Sequence, residues 1–171
     1  MRWEHLFADL EAQADAAQLA SFDAQVRDRT RAERASVELA SRLLHARDTT
    51  VSVTTHDGVT TRGSVADAAA GWVLIVESAT QTLVPLTAVA FLTGLGPRVA
   101  DVTEVERRLS LGHALRALAR DRTRVVIATQ AGDVTGVIGV VGADYLEVST
   151  GVGSSTVVVT SAIMRVRSAA A

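Results

Sequence analysis

The spacing of hydrophobic residues changes from helical to strand-like along the chain. Residues 3–46 contain neither Gly nor Pro, and Trp3, Leu6 and Leu10 begin an apolar stripe with helical spacing. From Val51 onward, short apolar or alternating runs are separated by turn residues, which is typical of β-strands. The pattern therefore predicts a helical N-terminal arm, built as two helices or as one long bent helix, followed by β-structure.

Ten short strands are predicted, in two sets of five. The first set covers 51–53, 59–65, 72–76, 83–86 and 89–92, and the second covers 125–129, 134–141, 145–149, 156–160 and 163–167. Between the sets, Thr103 and Glu106 form a capping-box pattern, and Leu111, Leu115 and Leu118 lie on one helical face. A single helix is therefore expected to separate the two strand sets.

The second strand set is a copy of the first at an offset of 73 residues. Residues 46–50 return as 119–123, and one inserted residue later 86–89 returns as 160–163. The duplication predicts an α+β protein in which the N-terminal helical arm precedes two tandem five-stranded small β-barrels, each preceded by a helix. The predicted boundaries are 1–47 for the arm, 48–97 for the first barrel, 98–122 for the inter-repeat helix and 123–168 for the second barrel.

Two pairs of residues occupy matching positions in the copies. Gly63 and Gly136 lie within strand two, where a missing side chain lets a strand bend sharply, so we expect them to help close each barrel. Trp72 and Tyr145 begin strand three, which predicts a shared place in the core, with a shared place on the barrel surface as the alternative.

This arrangement resembles the Sm-like family of small barrels and the related PRC-barrel and SH3-like families. The resemblance covers residues 36–92 and 109–167, and includes the strand-two glycine and the Val-Pro-Leu-Thr-Ala-Val passage into the last strand. It implies a tandem duplication of that barrel. Sm-like proteins usually bind RNA through polar residues after strand two and through an Arg-Gly segment between strands four and five. The corresponding segments of this chain are 67–70, 141–144, 86–89 and 160–163. They contain no Asn, His or Arg-Gly, so the RNA-binding residues of the family are not carried over to this chain.

The chain also resembles small actinobacterial proteins that carry the label of Fis-family regulators. Such regulators have a C-terminal helix-turn-helix, whereas the C-terminus of this chain has the pattern of a strand. We therefore do not assign that function.

Composition excludes several classes of function. The 171 residues carry a formal charge of −2, which gives no global attraction to nucleic acid or to anionic membranes. Cysteine is absent, which excludes disulfides, thiolate metal sites and a cysteine nucleophile. No apolar run is long enough to span a membrane and the N-terminus does not resemble a secretion signal, so a cytoplasmic location is expected.

The residues that often carry chemistry do not form a catalytic or metal-binding pattern. The four histidines, His5, His45, His56 and His113, lack metal-ligand spacing. His56 and Asp57 are interpreted as turn residues, because adjacent side chains in a tight turn point apart. The Gly-rich segment 151–156 precedes a strand where a phosphate-binding loop would precede a helix, so it is interpreted as a hairpin loop. We expect no enzyme activity, no metal and no cofactor.

One basic patch and one sheet edge are the candidate binding sites. His113, Arg116 and Arg120 lie opposite the leucine stripe, and Arg122 and Arg124 follow, as a nucleic-acid or anion patch or simply as a solvated helix face. In strand four, Pro85 of the first copy lacks a backbone N–H and would interrupt pairing with another strand if that side of Pro85 faced outward. The counterpart of this strand in the second copy contains Val157, Val158 and Val159, with neither proline nor charge. We therefore expect the second copy to supply the sheet edge for pairing with another chain. The alternative is that these three valines are buried beneath the helix.

Two functions follow from these patterns. The first is a non-enzymatic cytoplasmic binding or scaffolding protein that contacts a protein partner or associates with itself through the helical arm or the barrel edge. The alternative is an RNA- or DNA-binding regulatory protein that uses the Arg-rich helix face. The arm residues expected at a protein interface are Trp3, Leu6 and Leu10.

Overall fold

The computed structural model describes residues 38–100 and 103–168. Three helices are present there: α1 (Leu39–His45), α2 (Glu104–Arg108) and α3 (Leu111–Arg120). The strands are β1 (Thr50–Thr55), β2 (Thr60–Ala69), β3 (Trp72–Glu77), β4 (Thr80–Pro85), β5 (Val89–Thr93), β6 (Arg124–Thr129), β7 (Gly132–Val141), β8 (Tyr145–Gly151), β9 (Ser154–Val159) and β10 (Ile163–Ser168). Short 3-10 turns, Leu86–Ala88 and Thr160–Ala162, precede β5 and β10. Each predicted strand is found near its expected position.

The predicted arm falls mostly outside the described residues. Trp3, Leu6 and Leu10 lie in the part of the chain that the structure does not describe, and only α1 and the residues around it belong to the predicted 1–47 segment. Among the described residues, no helix is both long enough and apolar enough to cross a membrane.

The ten strands form one antiparallel sheet, so the prediction of two five-stranded barrels is wrong. The strand order is β5-β1-β2-β3-β4-β10-β6-β7-β8-β9. Each repeat contributes five neighbouring strands in the same internal order, and the two halves join where β4 pairs with β10, at Leu83↔Val166 and Thr82↔Arg167. Each set of five strands has two edges. One edge of each set pairs with the other repeat, and the second edges, β5 and β9, form the two ends of an open sheet.

The two clusters of buried residues are distinct, but one of them draws on both repeats. One cluster of buried residues lies between α1 and the strands of the first repeat, with Leu43 and Val53 fully buried. The second cluster surrounds Leu115 of α3, and it also takes in three residues of the first repeat: Ala69, Trp72 and Leu83. The junction therefore buries first-repeat side chains in the second core.

The single inter-repeat helix that was expected is broken into two. The capping box is confirmed, since Glu106 Oε2 accepts from Thr103 N (2.8 Å) and Oγ1 (2.9 Å), while Glu106 N donates to Thr103 Oγ1 (3.2 Å). The Leu109 carbonyl accepts the Trp72 indole N–H at 3.0 Å. In a continuous helix His113 N would donate to this Leu109 carbonyl, four residues earlier. It donates to Ser110 O at 3.0 Å, so α3 starts as a new helix.

Gly63 and Gly136 are required because the neighbouring strand approaches closely. A Cβ at Gly63 would overlap the Val76 carbonyl oxygen, and a Cβ at Gly136 would overlap that of Ser149. The β2–β3 and β7–β8 ladders both change register shortly after these glycines, after Val65 and after Ile138. The bend expected in strand two is thus a β-bulge that follows a tight backbone contact.

Changing Gly136 to Ala is expected to lower the free energy of unfolding by about 1–3 kcal/mol, because the added methyl group meets rigid backbone. Gly139 lies in the same strand, and a Cβ there comes no closer than 3.7 Å to any atom, at the Glu147 carbonyl oxygen. Gly139→Ala is therefore the matched control. Urea unfolding measures both variants; equal losses of stability would contradict the close-approach explanation.

Candidate binding surfaces

The histidines and carboxylates that the structure describes do not gather into a metal site. Within residues 38–100 and 103–168, no group of three His, Cys, Asp or Glu side chains could hold a metal ion. The described histidines, His45, His56 and His113, are exposed and belong to α1, the β1–β2 turn and α3.

Asp57 joins the two repeats. Its Oδ2 lies 2.6 Å from Arg165 Nη1 of β10, and its Oδ1 accepts from Thr55 Oγ1 (2.6 Å) and Val59 N (3.2 Å). Both charged side chains are only 16% exposed. Burial raises the pKa of Asp57, but the hydrogen bonds from Thr55, Arg165 and Val59, together with the Arg165 charge, outweigh it and leave this pKa below its ordinary value.

The turn that carries Asp57 is specific to the first repeat. Thr54 pairs with Thr60 across residues 55–59, whereas Ala128 pairs with Asp133 across residues 129–132. The turn is thus one residue longer in the first repeat. No local pattern could predict the ion pair between Asp57 and Arg165, because the partners lie 108 positions apart in the sequence.

Further contacts hold the junction on both sides of the β4–β10 ladder. Gln81 N donates to Ser168 Oγ at 3.1 Å, beyond one end of the short ladder. Trp72 reaches across to Leu109, as described above, and is 8% exposed. Its repeat counterpart Tyr145 is 36% exposed, so the predicted shared core role holds for Trp72 alone.

An apolar cleft of about 480 Å³ lies between α3 and the strands at the junction. The apolar side chains that line it include Trp72, Leu74, Leu83, Leu109, Leu118 and Val166. His113 and Arg120 line the same cleft, so a basic group and an apolar surface adjoin there. This arrangement suits the burial of a small apolar group.

The structure brings together part of the predicted basic patch. His113, Arg116 and Arg120 line one surface concavity of about 450 Å³ beside Gly139 and Val141 of β7. The other two patch residues, Arg122 and Arg124, are exposed but do not line it. None of the four arginines forms an ion pair with another residue that the structure describes. Arg116 and Arg120 are therefore available to an anion, whereas His113 Nδ1 lies within hydrogen-bonding distance of Ser110 Oγ, at 2.9 Å.

The three candidate valines lie on β9, which is one end of the sheet. Val157 and Val159 are 60% and 52% exposed, whereas Val158 is 5% exposed, in keeping with the alternation of side chains along a strand. The alternative that all three valines are buried beneath the helix therefore holds for Val158 alone.

Pro85 does not keep β4 from pairing, which corrects the expectation from the sequence. The β4–β10 ladder uses Thr82 and Leu83 and does not extend to Pro85. The missing N–H of Pro85 therefore removes no hydrogen bond from the β4–β10 ladder. The second end of the sheet is β5, where Phe91 is 61% exposed, and no sequence pattern predicted an exposed edge there.

No protein-family model matches this chain, and no curated protein matches its sequence. The resemblance to Sm-like barrels accordingly stays a prediction.

Replacing Asp57 with Asn is expected to lower the free energy of unfolding by about 1–3 kcal/mol at pH 7, because Arg165 loses its partly buried charged partner. The pKa of Asp57 is lowered from 3.8 in the folded state, so its stabilising effect is complete above pH 3.8 and is lost as the pH falls through the folded value. The stability gap between the wild type and Asp57→Asn should therefore shrink below pH 3.8.

The matched control for this experiment is Asp133→Asn, since Asp133 is exposed and makes no ion pair with a described residue. Chemical unfolding from pH 2 to pH 7 measures all three proteins. A gap that stays constant across this range would show that the Asp57 carboxylate does not hold the junction.

Proposed function

We propose that this chain is a non-enzymatic binding or scaffolding protein of the cytoplasm that adds a strand of a partner to the free edge of its sheet at β9. The observation that carries the proposal is that no strand within residues 38–100 and 103–168 pairs with β9 on the side away from β8. The strand Ser154–Val159 contains no charged residue and no proline, and two exposed valines flank the buried Val158. Sheet edges that do not bind are usually blunted by charge, proline or a covering element.

The outward backbone groups of β9 can be identified from its register. Thr160 N donates to Asp144 O on the β8 side, at 2.8 Å, and Leu146 pairs with Val158 in the same ladder. Because N–H groups alternate in direction along a strand, Val158 is bonded to β8 while the N–H groups of Val157 and Val159 point away from it. A partner strand therefore finds both hydrogen-bonding groups and apolar side chains at this edge.

A photoreactive amino acid at position 157 is expected to form adducts of defined mass in cells that produce the protein. The matched control is position 140, whose valine is 49% exposed but lies in the interior strand β7. Adding Val159→Pro, which removes an outward N–H, should reduce the yield at position 157 about fivefold or more. Equal yields at 157 and 140 would refute binding at this edge.

A second candidate function is nucleic-acid binding through the concavity on α3. The observation in its favour is that His113, Arg116 and Arg120 line one concavity and that neither arginine is paired with a described carboxylate. Phosphate groups bind exposed arginines of this kind. The absence of any described aromatic residue among the side chains lining the concavity favours backbone contact over base stacking.

Gel retardation with duplex DNA is expected to weaken as salt rises, with a log–log slope of about −2 if the two arginines each contact a phosphate. Arg116→Ala and Arg120→Ala should each reduce the slope by about one unit. Arg62→Ala is the control, because Arg62 is exposed on β2 and does not line the concavity. A retardation that responds equally to all three substitutions would remove the assignment to α3.

A further inference from the structure

We propose that the cleft between α3 and the junction strands binds a medium-chain fatty acid, with the carboxylate at Arg120 and the alkyl chain against the apolar wall. This inference goes beyond the proposed function, because it assigns a small-molecule site. The cleft lies where β4 joins β10, whereas the proposed protein-binding edge is β9, at one end of the sheet.

The cleft has the size of a small-molecule site, and both repeats form its walls. Its volume of about 480 Å³ falls within the range of about 300–1,000 Å³ that is usual for such sites. Trp72 and Leu83 of the first repeat line it together with Val125 and Val166 of the second, and Leu118 lines it from α3. The cleft therefore exists only because the two repeats are joined.

The apolar wall is only partly covered by the protein itself. Leu74 and Leu83 are paired opposite each other in the β3–β4 ladder, and both line the cleft. Leu83 is buried, but Leu74 on the sheet and Leu109 and Leu118 on the helical side are half-buried. An alkyl chain in the cleft would remove this remaining apolar surface from water, which is favourable in proportion to the area covered.

The repeat shows that strand three does not itself require an apolar residue at position 74. Glu147 occupies the matching position of the second copy, where it is paired with Val157 in the β8–β9 ladder. A carboxylate is thus compatible with this place in the unit. Leucine occurs in the copy whose strand three faces the cleft, which favours an apolar ligand there.

The charges that line the cleft favour a carboxylate as the head group. Arg120 is exposed and makes no ion pair with any carboxylate that the structure describes. Arg47, which matches it in the sequence repeat, has its carboxylates within the chain, since Nη2 lies 2.6 Å from Asp67 Oδ1 and 3.4 Å from Glu106 Oε1. A guanidinium group holds a carboxylate with two parallel hydrogen bonds, so the open arginine suits an external one.

Two other titratable groups line the same cleft. His113 lies on α3, where its Nδ1 is 2.9 Å from Ser110 Oγ. Asp121 follows α3 directly, and its negative charge opposes an anion and favours a cation. The proposal therefore makes a definite prediction for Asp121: its removal should strengthen the binding of a fatty acid.

Calorimetric titration of the full chain with decanoate is expected to show a single binding site. Trp72 provides an independent readout, because Trp3→Phe leaves it as the only tryptophan of the chain. Its emission should change with the same dissociation constant. Affinity should rise about fourfold for each added CH₂ from hexanoate to octanoate, since each methylene leaves water. Decanol and decylamine, which lack the carboxylate, should each bind at least about tenfold more weakly than decanoate.

Substitutions at the two ends of the cleft test the orientation of the ligand. Arg120→Gln should weaken decanoate binding about tenfold, because the charged hydrogen bonds are lost. Arg116→Gln is the matched control, since Arg116 is an exposed arginine of the same helix that does not line the cleft. Asp121→Asn should bind decanoate more tightly. Ala117→Leu adds apolar volume inside the cleft, keeps a good helix former, and should reduce binding of decanoate and decanol alike.

Several outcomes would overturn the proposal. Equal weakening by Arg120→Gln and Arg116→Gln would show that the carboxylate does not meet Arg120. Tighter binding of decylamine than of decanoate, with a loss in Asp121→Asn, would assign the cleft to an apolar cation. If none of the three probes binds at millimolar concentration, the cleft is not a fatty-acid site. These results leave the assignment of β9 untouched, because adducts at position 157 are measured without any ligand.

Discussion

The pairing of β4 with β10 is the contact on which the rest of the structure depends. It is short, with two residue pairs in the ladder, yet it turns two open sets of five strands into one sheet. It also carries Trp72 and Leu83 into the core of the other repeat. By using one edge of each repeat, it leaves the other edge of each repeat as an end of the sheet.

A short ladder needs other contacts to fix its register. A slip of one residue would exchange the two faces of β10 and expose Val166, which is 2% exposed in the structure. The ion pair between Asp57 and Arg165 opposes such a slip, because a partly buried pair contributes more to geometry than to stability. The Trp72 hydrogen bond to the Leu109 carbonyl fixes the start of α3 in the same way.

The two copies of the unit differ where their surroundings differ. Leu83 and Val157 occupy matching positions, and so do Trp72 and Tyr145, but the first member of each pair is buried at the junction and the second is at least a third exposed. The local sequence alone does not produce this difference. Burial in the sheet follows from the position of a strand in the strand order, and one copy of each strand type lies at the junction while the other lies at an end.

The local pattern of residues determined the elements of this protein, and long-range pairing determined their arrangement. Alternation and turn residues located the ten strands, the duplication matched Gly63 with Gly136, and Thr103 with Glu106 marked the start of α2, because these signals act between residues close in sequence. The junction between Leu83 and Val166 could not be predicted in this way. Every strand offers the same backbone donors and acceptors, so hydrogen-bonding capacity does not say which strand will be its neighbour. Three further features depend on which strand edges are paired in the tertiary structure. They are the helix break at Leu109, the position of His113, Arg116 and Arg120 beside β7, and the exposure of β5 and β9.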